Sequence, residues 1–376
     1  MLSPFYFGKV AREEYFTNRD KERELIQSNI LSGINCVILS PRRWGKSSLV
    51  EACISEIKAT HEKIVICKLD LFKIHSEEEF YEAYLKEVIK GSTSKWEEWM
   101  ELSKQFLKSI TPSISFNAGS NNDVSISFKV HELPKSKDEI LQLPEKIALK
   151  KKIKFVICID EFQNINKFQK PIEFQEHLRA TFQYFEQTSF ILYGSKRHIM
   201  NDLFGNVDRP FYKFGEIIFL KKIDTLYWEK YIIDRFASTN KQIEKELASQ
   251  IAHTMKNHPY FVQQLSNHIW LNTKEVVDDG CIERGFEEML EVNEIMYIRE
   301  IENLTLSQIS FLKAIINGEE QFTSQKVING YNLGSSGNIK RIKEALANKE
   351  IIDFLDKEPL FNDPSFEIWL KQNYFQ

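Results

Sequence analysis

Nine consecutive residues, Ser40, Pro41, Arg42, Arg43, Trp44, Gly45, Lys46, Ser47 and Ser48, carry the densest chemical signal in the chain. Gly45, Lys46 and Ser47 match the end of the pattern G-x-x-x-x-G-K-[ST], a loop that grips phosphate. The spacing has a physical reason. Backbone N–H groups of a tight loop, and of the first turn of the helix after it, converge on phosphate oxygens. Gly45 lets the backbone come close with no side chain in the way. Lys46 reaches the β- and γ-phosphates as a point charge, and the Ser47 hydroxyl ligates Mg²⁺. Pro41, Arg42, Arg43, Trp44 and Ser48 complete the loop and count with them as candidate nucleotide contacts. Ser40 stands where the pattern has its first glycine. A serine fits there if its φ stays negative, and Pro41 pushes it towards extended conformations.

A second group lies 114 residues after Lys46, where the strand-like run FVICIDEF ends in Asp160 and Glu161. In nucleotide-hydrolysing enzymes with such loops, an acid at a strand's C-terminal end holds Mg²⁺ through water. A following glutamate polarises the attacking water as general base. Two adjacent acids on an apolar strand are costly unless a cation or donors meet them. Ser195 ends another apolar run, SFILYGS, and reads either as a sensor of the γ-phosphate or as a turn residue after Gly194. Lys196, Arg197 and Arg209 are nearby cations that could neutralise phosphate charge, or solvated surface residues.

These groups need elements that hold them. NCVILS from Asn35 reads as a strand and SSLVEACISEIKA from Ser47 as the helix after it. KIVICKLDL, KFVICID and SFILYGS read as further strands, and GEIIFL from Gly215 as a fifth. KFVICID and SFILYGS are apolar throughout, as strands buried on both faces must be. Alternation of such strands with amphipathic helices predicts a parallel α/β sheet. SISFNAGSNNDVSISF (113–128) reads as a hairpin inserted into it, at about 111–130. Trp96 and Trp99, at i,i+3, read as a buried helix face.

After about Lys221 the pattern turns helical, near 224–238, 241–256, 259–272 and 282–300. From Asn303 three short helices precede IIDFLDKEPLFNDPSFEIWL, read as a hairpin with a proline at its tip. Three helices and a wing make a winged helix. The expected divisions are a core at 1–220, a helical lid at 221–300 and a winged helix at 301–376.

Bulk composition sets limits. The chain of 376 residues has a formal net charge of −4, which gives no global attraction to nucleic acid or anionic lipid. Its five cysteines form no C-x-x-C pair, so neither a disulfide framework nor a zinc site is expected. The eight histidines show no metal-binding spacing. With no signal-peptide pattern and no apolar run of membrane-spanning length, the expectation is a cytoplasmic protein without membrane contact.

Taken together, the motifs resemble those of STAND-type ATPases, relatives of the AAA+ group, in particular the archaeal-ATPase-like family with bacterial members. S-P-R-R-W-G-K-S-S resembles that family's G-P-R-R-x-G-K-[ST]-S. I-D-E-F-Q resembles its magnesium strand and Y-G-S its first sensor. FTNRDKERELI from Phe16 resembles its leading F-x-x-R-x-x-E segment beside the adenine, which implies Asn18 and Arg19 as nucleotide contacts. NHPYFVQQL (257–265) resembles the start of the lid helix, with Asn257 in place of a glycine. This places His258 and Pro259 near the base or phosphates. The resemblance implies a P-loop NTPase, AAA+/STAND-like, with a parallel-sheet core, helical lid and C-terminal winged helix. ATP and Mg²⁺ would bind between core and lid.

Three readings follow. The first is a slow regulatory ATPase whose nucleotide state rearranges its domains, acting through a protein partner or self-association. The second is a nucleotide-responsive DNA-binding regulator, since Lys340, Arg341 and Lys343 cluster on the third helix of the winged region. Against it, residues 301–376 hold 8 Lys and Arg against 10 Asp and Glu, a poor balance for phosphate contact. The third is a small-molecule phosphotransferase, for which no acceptor pocket is evident.

Overall fold

The computed structural model describes residues 2–11, 15–92, 106, 113–116, 124–127, 137–355 and 358–375, with backbone alone at 113–116 and 124–127. The chain divides into two compact units. One comprises Arg19–Ser40 and Leu49–Leu220, the other Met1–Asn18, Pro41–Ser48 and Lys221–Gln376.

The first unit holds a five-stranded, wholly parallel sheet. Its elements are α1 (Asp20–Leu31), β1 (Cys36–Leu39), α2 (Lys46–Thr60, from Leu49 in this unit), β2 (Ile64–Asp70) and α3 (Glu77–Ser92). Then come β3 (Ser113–Phe116), β4 (Val124–Ser127), α4 (Lys137–Lys151), β5 (Lys154–Asp160), α5 (Pro171–Phe182), β6 (Thr188–Gly194), α6 (Arg197–Gly205) and β7 (Glu216–Phe219). The strand order is β2-β5-β6-β1-β7. Alternate residues explain the apolar runs. Phe155, Ile157, Ile159, Phe190 and Leu192 join a core with Phe80, Tyr84, Leu141, Phe174 and Met200 from the helices. The residues between them, Val156, Cys158 and Ile191, are buried as well, so β5 and β6 are covered on both faces. The edge strand β2 instead exposes Lys68 and Asp70. β3 and β4 form the expected antiparallel pair, with Ser113 opposite Ser127. The turn joining them and the Trp96/Trp99 pair lie outside the described residues.

The second unit is mainly helical: α7 (Thr225–Ala237), α8 (Lys245–Thr254), α9 (Pro259–Asn272) and α10 (Asp279–Glu302). There follow α11 (Leu306–Ile316), α12 (Gln325–Gly330), α13 (Ser336–Asn348), β8 (Ile352–Asp353), β9 (Leu360–Phe361) and α14 (Pro364–Trp369). α11 begins at a capping box, Thr305 with Gln308. One apolar core joins Trp228, Phe236, Met255 and Phe261 to Phe311, Leu346, Phe366 and Trp369. The C-terminal stretch opens as the expected hairpin, with β8 and β9 antiparallel, but ends in a helix. Strand pairing ends at Phe361, and Asp363 caps a helix by accepting from Ser365 N at 2.8 Å and Phe366 N at 3.0 Å. Pro364 sits at the first helical position, where its missing N–H and fixed φ suit a helix start. The second proline of the stretch therefore marks a helix, not a strand. Among the described residues no helix is long and apolar enough to cross a membrane.

Candidate nucleotide site

The loop Pro41–Ser48 is shaped by its backbone. Arg43 and Gly45 take left-handed conformations, with φ of 63° and 87°. Ser40, fully buried, keeps out of that region, so this position does not require the glycine of the general pattern. Gly45 does need its freedom, and a Cβ built on it meets no atom of the described residues within 4 Å. The open side of the loop is thus free at its glycine. α2 starts at Lys46, whose buried ammonium donates to Pro41 O at 2.8 Å. Ser48 Oγ accepts from Ala11 N at 3.0 Å, which ties the N-terminal segment to the loop. A helix N-terminus, a lysine and an unfilled glycine face make a donor set that suits a phosphate anion.

The loop's larger side chains meet the helices of the same unit. Trp44 is buried, and its ring lies edge-on to His258 at 6.0 Å. Its indole N–H is buried without a hydrogen-bond partner among the described residues. His258 is the N-cap of α9, where its Nδ1 accepts from Tyr260 N at 3.3 Å, and Pro259 follows at the first helical position. Burial, reinforced by the Arg43 and Lys222 cations, pushes the His258 imidazole down to about 3. Asn257 is left-handed, with φ 59°, and its amide exchanges hydrogen bonds with Thr225 Oγ1. Asparagine tolerates that conformation better than other non-glycine residues, which accounts for its standing in a glycine position. The Arg43 guanidinium lies 4.5 Å from the centre of the Tyr260 ring, and Arg42 pairs with Glu350 of the winged segment at 3.6 Å. Burial raises the Asp363 carboxyl, while bonds from Ser365 and Phe366 and the Arg43 charge partly offset it.

In the sheet unit, the C-terminal ends of β5, β6 and β1 deliver Asp160, Ser195 and Ser40 to one edge. Asp160 lies in register with Asp70 of β2, and its Oδ1 accepts from Glu161 N at 2.8 Å. Burial raises the phenol of Tyr193, with the Asp160 charge acting in the same direction. Glu161 is left-handed, with φ 51°, and opens a short 3₁₀ turn, Phe162–Lys167. Ser195 Oγ donates to Glu161 Oε2 at 3.0 Å. Gln163 Nε2 donates to the same oxygen in a short hydrogen bond.

Other expected residues are placed differently. Arg209 is held by Asp202, with Nε 2.7 Å from Oδ2. Burial opposes ionisation of Asp202, yet bonds from Asn206 and Arg209 bring its pKa below the usual range. Lys196 and Arg197 start α6. Asn18 and Arg19 are consecutive left-handed residues, with φ of 62° and 80°. Arg19 is buried and pairs with Glu22 at 3.0 Å; burial lowers its pKa and Glu22 partly restores it. Among the described residues no group of three or more His, Cys, Asp or Glu is arranged to hold a metal. Ser47 in one unit and Asp160 in the other each carry a hard oxygen of the kind Mg²⁺ takes. Sequence reasoning missed the Gln163 contact, although I-D-E-F-Q contained it, and missed Arg42 with Glu350.

The KAP family P-loop domain matches residues 43–226, and a probable winged helix domain matches residues 295–372. Among solved structures the chain is similar to the Walker-type ATPase of Pyrococcus abyssi, at 17% identity and a TM-score of 0.69, over 98% of this chain and 99% of that one. It is also similar to the Aeropyrum pernix ORC2 protein in ADPNP–ADP complexes, at 13% identity and a TM-score of 0.57, over 96% and 94%. The ORC1 protein of the same organism, in complex with DNA, matches at 11% identity and a TM-score of 0.50, over 96% and 94%. No curated protein matches the sequence. With its parallel sheet, phosphate-loop motif and C-terminal domain, the chain has a P-loop NTPase fold followed by a winged helix.

Proposed function

We propose that the chain is a regulatory ATPase of the STAND type, binding ATP with Mg²⁺ and hydrolysing it slowly. In this reading residues 1–220 act as the nucleotide-binding core, 221–300 as the lid and 301–376 as the winged helix. Lys46 and the N–H groups of Pro41–Ser48 other than the proline hold the phosphates. Asn18, Arg19, His258 and Pro259 line the nucleotide. Ser47 and Asp160 hold Mg²⁺, which supplies charge neutralisation at the phosphates when bound. Glu161 orients and deprotonates the attacking water, and Ser195 senses the γ-phosphate. Free, buried cysteines suit a reducing cytoplasm.

The observation that carries the regulatory part is the company the loop keeps. Arg42 pairs with Glu350 beyond α13, and Arg43 stacks on Tyr260 of α9. Phosphate entering the loop competes for those same arginines, so nucleotide state biases the lid and winged-helix contacts. The switch predicts different small-angle scattering profiles with ADP and with a non-hydrolysable ATP analogue. Identical profiles, with calorimetry showing both nucleotides bound, would contradict it.

A second reading, DNA binding through the winged helix, is favoured by the exposure of Lys340 and Arg341 on α13. The similar ORC1 protein was solved with DNA. Against it, Lys340 faces Glu344 at 3.9 Å, and the Lys343 ammonium lies over the Phe322 and Phe354 rings at 5.2 and 5.5 Å. A gel shift abolished by salt and by Lys340→Ala with Arg341→Ala supports it; no shift at low salt rejects it.

A further inference from the structure

Gln163 stands one residue beyond the Phe that follows Glu161, in the 3₁₀ turn, and its side chain is only 3% exposed. The turn brings it back towards Glu161, so that its amide nitrogen and the Ser195 hydroxyl both donate to Glu161 Oε2. Neither of these bonds engages Oε1. The space for the Gln163 side chain comes from the neighbouring strand. A Cβ built on Gly194 would lie 1.8 Å from Gln163 Oε1 and 3.0 Å from its Cδ, with Met200 Sδ at 3.1 Å on the same side. Gly194 has no positive φ, so the position needs the missing side chain, not unusual backbone freedom. Gln163 Oε1, against this glycine, is buried with no hydrogen-bond partner among the described residues. An uncompensated buried carbonyl destabilises the fold, and here it accompanies an amide nitrogen aimed at a carboxylate.

We infer that Gln163, seated in the space left by Gly194, is a positioning residue that fixes the Glu161 carboxylate for its work on water. The inference rests on the general-base reading of Glu161. Two donors on Oε2 fix the rotamer, while Oε1 is left to take the proton. Ser195 alone would leave the carboxylate one anchor and freedom to rotate about it.

The test measures ATP hydrolysis against ATP concentration for the parent, Glu161→Gln, Gln163→Met and Gly194→Ala, with a thermal melt of each. Methionine fills nearly the volume of glutamine without donating, so it separates anchoring from packing. Losing one charge-assisted hydrogen bond predicts a kcat about 10- to 100-fold lower for Gln163→Met. KM for ATP should stay within about twofold, since ground-state binding does not use this contact. Gly194→Ala should lower kcat in the same way by displacing Gln163. If it fails to fold, Gln163→Met still decides. A parent-like kcat in Gln163→Met, with Glu161→Gln inactive, overturns the inference and leaves the general-base reading standing. Parent-like turnover in Glu161→Gln, or no turnover in the parent, overturns that reading and the inference with it.

Discussion

In the loop Pro41–Ser48 the distinguishing features lie in the backbone: two left-handed residues, an open glycine face and a lysine folded onto the loop's own carbonyl. At the carboxyl edge of the sheet they lie in side chains: a serine, a glutamine and a glutamate joined through one oxygen. Backbone geometry of the first kind admits few residue types, and it therefore leaves a motif. A side-chain cluster of the second kind depends on which strands lie beside one another, and its members are ordinary residues until the sheet is assembled. The chain thus advertises where phosphate would bind far more openly than it advertises how water would be activated.

The comparison can be broken at several points. The largest effect is expected from Lys46→Ala, measured by calorimetric titration with ATP and Mg²⁺. Loss of charge-assisted bonds to two phosphates costs about 3 kcal/mol, on the order of 100-fold in affinity. An unchanged affinity would remove the loop from the site. Next is pH. Between pH 6.5 and about 3 the unfolded chain protonates His258 and the folded chain does not. Stability is therefore complete above pH 6.5 and falls as pH drops through that window, by at most about 1.4 kcal/mol per unit from this residue. Melting temperatures followed from pH 7 to 4.5 should fall, and His258→Gln should flatten the fall. A steeper fall in the variant would contradict the burial of the imidazole beneath Trp44. The smallest effect belongs to Gly45→Ala. A left-handed alanine costs roughly 1–2 kcal/mol, which should appear as weaker ATP binding or a lower melting point. No change in either would show that the glycine conformation is dispensable.

How much was legible follows the same division. β5 and β6 were readable because both faces are covered, which forces every residue of Phe155–Ile159 and Phe190–Leu192 to be apolar. The winged helix was readable as helices from its periodicity, but DPSFEIWL was not recognised. Pro364 resembles a turn residue until Asp363 is seen accepting from the next two N–H groups. Asn257 and Ser40 departed from glycine patterns for opposite reasons. Asn257 takes up the left-handed conformation and Ser40 avoids it. Arg42 and Glu350 are separated by more than 300 residues, and no local pattern could join them. Gln163 lay inside a quoted motif, yet its role depended on a missing Cβ in another strand.

The central claim is that one chain both grips ATP at Lys46 and uses Glu161 to turn it over. Parent and Glu161→Gln should be compared in one experiment that records bound nucleotide by calorimetry and released phosphate in time. Glu161→Gln should bind ATP as tightly as the parent while its turnover falls about 10²- to 10⁴-fold. Parent-like phosphate release from Glu161→Gln would contradict it.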